Sequence, residues 1–160
     1  MIPRWLPRVT FALALGGVAV SAYLTYAHYT SPAVLACSDK GFVNCAQVTT
    51  SAQSMFLGMP VAVLGLGWWL VMAALQSPWA WRSPSPWPHR ARLALSLLGV
   101  AFVLWLIYAE FVIIGAICLW CSVVHALTFA EFVLVMLYGL EVARTGTQTE
   151  TDADQLSSAG

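Results

Sequence analysis

Four cysteines hold most of the chemistry open to this sequence. Cys118 and Cys121 stand three apart in Cys118-Leu119-Trp120-Cys121, at the start of the apolar run Ala116 to Leu140; Cys37 and Cys45 stand between the first two apolar runs. Residues three apart share one face of a helix. At a helix N-terminus the unpaired N–H groups and the positive end of the dipole favour a thiolate. A dithiol so placed can accept and release a disulfide, and a second pair on a nearby loop gives the layout of a disulfide relay. The bland alternative makes Cys37–Cys45 a static clip and leaves Cys118 and Cys121 as small apolar residues.

The elements that must position these sulfurs are set by composition. Of 160 residues, 60% are hydrophobic and 9% charged, with a mean hydropathy of +0.78. Soluble domains carry about 25% charged residues, so the chain reads as an all-α integral membrane protein. Four runs approach the ~20 residues needed to cross the hydrocarbon core: about 10–29, 56–75, 93–114 and 116–140. They predict one domain over 1–144, a four-transmembrane-helix bundle, with a capping loop at 30–55 between the first two helices. The third and fourth runs are nearly continuous, so a tight turn is expected between Glu110 and Ala116. Residues 145–160 are polar and mildly acidic, and read as a disordered tail. Val20-Ser21-Ala22 looks like a signal-peptide cleavage site, but the apolar stretch continues too far past it for that.

Charge orients the bundle. Arg4, Arg8, Arg82, Arg90, Arg92 and Arg144 fall on one side of a four-span arrangement and Lys40 on the other. The positive-inside rule then places both termini and the Ser77–Arg90 link in the cytoplasm. All four cysteines become extracytoplasmic, where disulfides persist, and the expected location is the cell (inner) membrane. Formal net charge is zero and no basic stripe points to nucleic acid.

A dithiol that exchanges only with soluble thiols has no need of four spans. Coupling to a lipid-soluble two-electron acceptor does, and a quinone takes two electrons and two protons, matching dithiol oxidation. Its ring is expected near Cys121, in a pocket walled by apolar and aromatic side chains.

The residues also carry a resemblance. Asn44-Cys45-Ala46-Gln47-Val48-Thr49-Thr50-Ser51, Phe56-Leu57-Gly58-Met59-Pro60, Gly65, Ser21-Ala22-Tyr23-Leu24, Cys37 ahead of Cys45 and the Cys118–Cys121 motif together resemble the vitamin K epoxide reductase family over about residues 8–142. The resemblance implies a four-helix bundle around a quinone (menaquinone, ubiquinone or phylloquinone), capped by the loop with the first cysteine pair. It implies that Cys121 faces the quinone with Cys118 as its disulfide partner. Cys45 would attack Cys118, and Cys37 would meet the external redox protein. Ser51 matches a family serine near the quinone; Ser54 stands where animal members carry an asparagine, and His125 where they carry a tyrosine. These departures favour the bacterial type of reaction over epoxide reduction of the animal type. Electrons would then come from a thioredoxin-like disulfide oxidase, expected as a separate protein because no such domain follows the last span.

Ser51, Ser54, Phe56, Trp120 and His125 are therefore the candidates for the quinone pocket. His125, one turn after Cys121, suits a quinone carbonyl or a proton, or a neighbouring helix. Trp120 suits the ring face or the membrane interface equally. Glu131, deeper in the span, reads as structural, and Glu110 as snorkelling to the interface. No metal site is assigned. A heavy-metal transporter is the rival from another class, since soft thiolates select soft ions, but it would be expected to carry cysteines within the spans or on both faces.

Overall fold

The computed structural model describes residues 5–37, 39–82 and 87–158, and the side chains of 39–40 and 139–158 lie outside that description. Arg4, residues 83–86 of the link, residues 159–160 of the tail and the side chains of Lys40 and Arg144 are accordingly outside it.

Among the described residues, three helical segments are long and apolar enough to cross a membrane: Leu6–Tyr29, Trp87–Ile114 and Leu119–Tyr138. A shorter apolar helix, Val61–Gln76, accompanies them. The chain is an all-α membrane protein. Its helices are α1 (Leu6–Tyr29), α2 (Cys45–Thr49), α3 (Val61–Gln76), α4 (Pro78–Trp81), α5 (Trp87–Tyr108, prolonged by a π turn over Ala109–Ile114) and α6 (Leu119–Ser158). Two small antiparallel hairpins interrupt the helical pattern: β1 (Asp39–Lys40) with β2 (Val43–Asn44), and β3 (Met55–Phe56) with β4 (Met59–Pro60).

Several boundaries move from where hydropathy places them. The second helix starts at Val61, not Phe56, because the β3–β4 turn holds Leu57 at φ 51° and Gly58 at φ 82°. Positive φ at two successive residues makes a tight hairpin turn, which an apolar sequence hides. With 16 residues, α3 is about 24 Å long at 1.5 Å per residue, short of the ~30 Å hydrocarbon core. α1 begins at Leu6 rather than Thr10, with proline in its first turn, where a missing N–H is tolerated. α5 begins at Trp87 rather than Leu93. The expected turn after α5 is present: the π segment ends on Gly115 at φ 69°, a left-handed conformation that glycine adopts without strain. α6 therefore starts at Leu119 rather than Ala116. It also continues as helical backbone to Ser158, where an irregular tail was expected from 145; no proline lies between Leu119 and Ser158 to stop it.

α1 packs along α3 and against α6, and α5 packs against α6 and α3. Small residues let these helices approach closely, as bilayer packing requires. Trp69, 1% exposed, lies on Gly17 of α1, where any Cβ would collide with the indole ring. Its neighbour Trp68 donates its indole N–H to the Leu95 carbonyl at 3.2 Å. Gly17→Val is therefore expected to displace Trp69 and cost about 1–3 kcal/mol of overpacking, read as a lowered thermal midpoint in detergent.

At one end of the bundle the polar groups are folded inward. Arg92 is 2% exposed; its Nε and Nη2 donate to the Leu75 carbonyl at 2.9 and 2.7 Å, and its guanidinium lies 4.0 Å from the Trp81 ring centre. Glu131 is fully buried and accepts a hydrogen bond from Gln76 Nε2. Arg92, counted from sequence only among the arginines of one face, thus joins α5 to the end of α3. Arg92→Leu should lower the unfolding free energy by roughly 1.5–3 kcal/mol, the range for hydrogen bonds from a charged donor. Arg92→Lys should recover only part of it, because an ammonium lacks the planar fork. Denaturant unfolding of the two variants checks both.

Candidate active site

The opposite end of the bundle carries all four cysteines. Residues 30–37 and 39–60 form a cap there, and three local devices hold it. Tyr23 of α1 donates its hydroxyl to the Val34 carbonyl at 2.7 Å and accepts from the Ala36 N–H at 3.1 Å. Asn44 caps α2 by accepting from the Gln47 N–H at 3.0 Å. Gln47 Nε2 in turn donates to the Ile114 carbonyl at 3.2 Å, so α2 is tied to the turn before α6.

A backbone bridge then brings the cysteine segments together. Val43 pairs in parallel with Ile117; the Ile117 N–H donates to Phe42 at 2.8 Å, and the Asn44 N–H donates to Ile117 at 3.0 Å. Cys45 follows one strand of this bridge directly and Cys118 follows the other. Both are buried, at 1% and 0% exposure, in one apolar cluster with Leu24, Ala27, Leu35, Val48 and Ala116. Cys37 and Cys45 are joined as a disulfide with Cα atoms 6.0 Å apart, while Cys118 and Cys121 are free thiols.

Cys118 lies just outside the helix and caps it. Its sulfur accepts the Cys121 N–H at 3.3 Å, and its carbonyl accepts the Ser122 N–H at 2.9 Å. The Cys118 thiol is held below its ordinary pKa, chiefly by the hydrogen bond from the Cys121 side chain, with burial opposing it. Cys118 is thereby prepared both as a leaving group and as a thiolate.

Cys121 faces a cavity of about 400 Å³ between α1, α3, α5, α6 and the cap. That size lies within the roughly 300–1,000 Å³ of small-molecule pockets, and the pattern of apolar walls with a few polar groups is theirs too. Leu24, Val48, Leu64, Trp68, Phe102, Val103 and Leu106 supply apolar wall. Ser51, Ser54, Phe56 and His125, the sequence candidates, also line it; Phe56 packs edge-on against Phe102, with ring centres 5.4 Å apart. Such a chamber fits the flat ring of a quinone.

Trp120, open from sequence to either the ring face or the membrane interface, lies off the chamber wall. It is not among the lining residues and packs edge-on against Tyr23, ring centres 5.0 Å apart. Alternation around the helix explains this: Trp120 precedes Cys121 by one residue, and neighbours in sequence point to different faces. The two serines are also differently engaged from a simple donor role. Ser51 Oγ donates to the Val48 carbonyl and Ser54 Oγ to the Ser51 carbonyl, each at 2.7 Å. A quinone oxygen only accepts, so His125 and Gln53 are the better-suited N–H donors on the wall. Gln53 was missed from sequence because no pattern separates it from other loop amides. His28 and Glu110 were missed as lining groups for a different reason: both stand near the ends of apolar runs, where a polar side chain reads as interfacial. Glu110 is 4% exposed and lines the chamber rather than snorkelling outward.

Among the described residues no group of three His, Cys, Asp or Glu side chains could hold a metal ion. A family model described as the vitamin K epoxide reductase family matches residues 8–136 of the chain.

Proposed function

The chain belongs to the vitamin K epoxide reductase family, which makes it a multi-pass membrane oxidoreductase of quinone-type substrates, and from that premise we propose that it is a thiol:quinone oxidoreductase of the bacterial type. It takes electrons from a separate thioredoxin-like disulfide oxidase and so supports disulfide formation in exported proteins. α1, α3, α5 and α6 each cross the inner membrane, the short α3 matched by local thinning of the bilayer. Both termini lie in the cytoplasm, and the cap faces the exported side, in keeping with the arginine distribution.

The order of the sulfurs carries this reading. Cys45 and Cys118 share one buried cluster, whereas of the four cysteines Cys121 is the one on the chamber wall. The partner reduces Cys37–Cys45. The Cys45 thiolate then attacks Cys118 of an inner Cys118–Cys121 disulfide, releasing Cys121. Cys37 attacks Cys45 in the mixed disulfide, which restores Cys37–Cys45 and frees Cys118. The pattern of a joined loop pair beside a reduced inner pair is the one on which these exchanges end. A bound quinone supplies the two-electron, two-proton sink for the inner dithiol. Leu24, Trp68 and Phe102 would hold its ring, while His125 and Gln53 would donate to its oxygens. Ser54 and His125, which replace the animal asparagine and tyrosine, favour quinone over epoxide as the substrate.

Multiple-turnover assay with a reduced thioredoxin-like oxidase and a short-chain quinone tests the proposal. Sustained quinone loss that requires both protein and donor is expected. No quinone loss, with donor and protein both active in thiol exchange, would contradict it.

A further inference from the structure

Oxidising the inner dithiol breaks two S–H bonds, forms the Cys118–Cys121 S–S bond, and releases two electrons and two protons. The quinone takes all four and becomes the quinol. The apolar chamber offers these protons few stations, and the thiols lie away from bulk water. One carboxyl group stands beside them. Glu110 sits in the π segment Ala109–Ile114, which ends at the turn leading to Cys118. Its backbone is fixed by donation from the Ala116 N–H to its carbonyl at 3.1 Å. Its side chain is buried yet lines the same chamber as Cys121, and its charge acts to raise the pKa of Cys118. π segments inside helices recur at functional sites, and a buried carboxyl in a bilayer helix is costly to keep without a task.

We propose that Glu110 is the proton acceptor of the inner dithiol, taking a thiol proton as the S–S bond forms and passing it to the reduced quinone. This rests on the thiol:quinone reading above. His125 lines the chamber as well, but it lies beyond Cys121 along α6, whereas Glu110 belongs to the segment whose turn leads directly into Cys118. Among the described residues, the titratable groups that line the chamber with Glu110 are Cys121 and His125 of α6 and His28 of α1; Cys118 lies behind the wall, in the cap cluster. The cap contributes Ser51, Gln53 and Ser54, which do not titrate.

Glu110→Gln keeps the size and polarity of the side chain and removes its basicity. In stopped-flow reduction of a short-chain quinone by pre-reduced protein, this variant is expected to be about 10²-fold slower at neutral pH, the lower range of general acid–base contributions. It should also lose the acid limb on which protonation of Glu110 slows the wild type. Glu110→Asp, which keeps a carboxyl group, should restore that limb and part of the rate, about tenfold. A second readout needs no quinone: alkylation of Cys118 by iodoacetamide across pH, scored by peptide mass. Losing the negative neighbour should move its midpoint to lower pH in Glu110→Gln. Wild-type rate, pH profile and alkylation midpoint in Glu110→Gln would overturn the proposal. A wild type inert towards quinone would instead remove the acceptor, and the alkylation midpoint would still decide whether Glu110 serves the thiols.

Discussion

Replacing Cys37 with alanine leaves most molecules, once quinone has oxidised the inner dithiol, as a Cys45–Cys118 mixed disulfide. The reason is geometric. The Val43–Ile117 bridge sets Cys45 and Cys118 in one buried cluster, while Cys37 is half-buried at its edge. In the wild type the mixed disulfide is brief, because Cys37 attacks Cys45 and displaces Cys118. Without Cys37 there is no resolving thiol on the loop. Cys121 can only return to Cys118 and reverse the step, and its oxidation route through Cys118 is blocked. Quinone turnover driven by the thioredoxin-like donor should fall by more than about 10³-fold, the scale seen when one member of a concerted set is removed. Non-reducing peptide mapping should show the 45–118 linkage. A 45–121 linkage in its place would mean that the chamber sulfur, not the capping sulfur, receives electrons from the loop.

Cys121→Ala abolishes quinone reduction by a different route, and leaves the Cys118 thiol able to exchange with the loop disulfide. Cys118 faces the cap cluster at 0% exposure, with no view of the chamber. A lone Cys118 thiol also cannot form the intramolecular disulfide that two-electron oxidation requires. Quinone consumption should drop by more than about 10³-fold, and added donor should not rescue it. Cys118 should still exchange with the loop pair, so mixed disulfides with Cys45 remain detectable. Removing the hydrogen bond from the Cys121 side chain also takes away the main cause of the low Cys118 pKa. Its alkylation midpoint should therefore rise, with the thiolate share at neutral pH falling.

The cysteine layout was legible in sequence because helix spacing and topology are coarse properties. A three-residue interval at the start of an apolar run survives an error of several residues in the helix boundary, and α6 indeed begins three residues after the expected start. Fine geometry was not legible. Hydropathy cannot distinguish Met55–Pro60 as a hairpin from the first turn of a helix, since the difference lies in the φ values of Leu57 and Gly58. It also cannot foresee that Arg92 and Glu110, charged and near helix ends, turn inward. Arg92 does so because α3 ends with the Leu75 carbonyl and the Trp81 ring follows, both placed by tertiary packing. Glu110 does so from within the π turn that ends on Gly115, where its side chain is buried on the chamber wall. Ser51 and Phe56 from the motif, and Ser54 and His125 at positions that depart from it, all line the cavity, whereas Trp120 packs on Tyr23. A pattern match ranks residues by company in sequence, and only side-chain direction separates the wall from its backing.

Electron passage from the inner thiols to a lipid-borne ring is most directly tested in a single turnover. Protein with Cys37–Cys45 joined and Cys118 and Cys121 reduced is mixed with one equivalent of short-chain quinone in the absence of any donor, then quenched with acid and mapped by mass. One quinol should form for each new Cys118–Cys121 disulfide, with Cys37–Cys45 unchanged. Quinol formed while Cys118 and Cys121 remain reduced, or an inner disulfide formed without quinol, would contradict it.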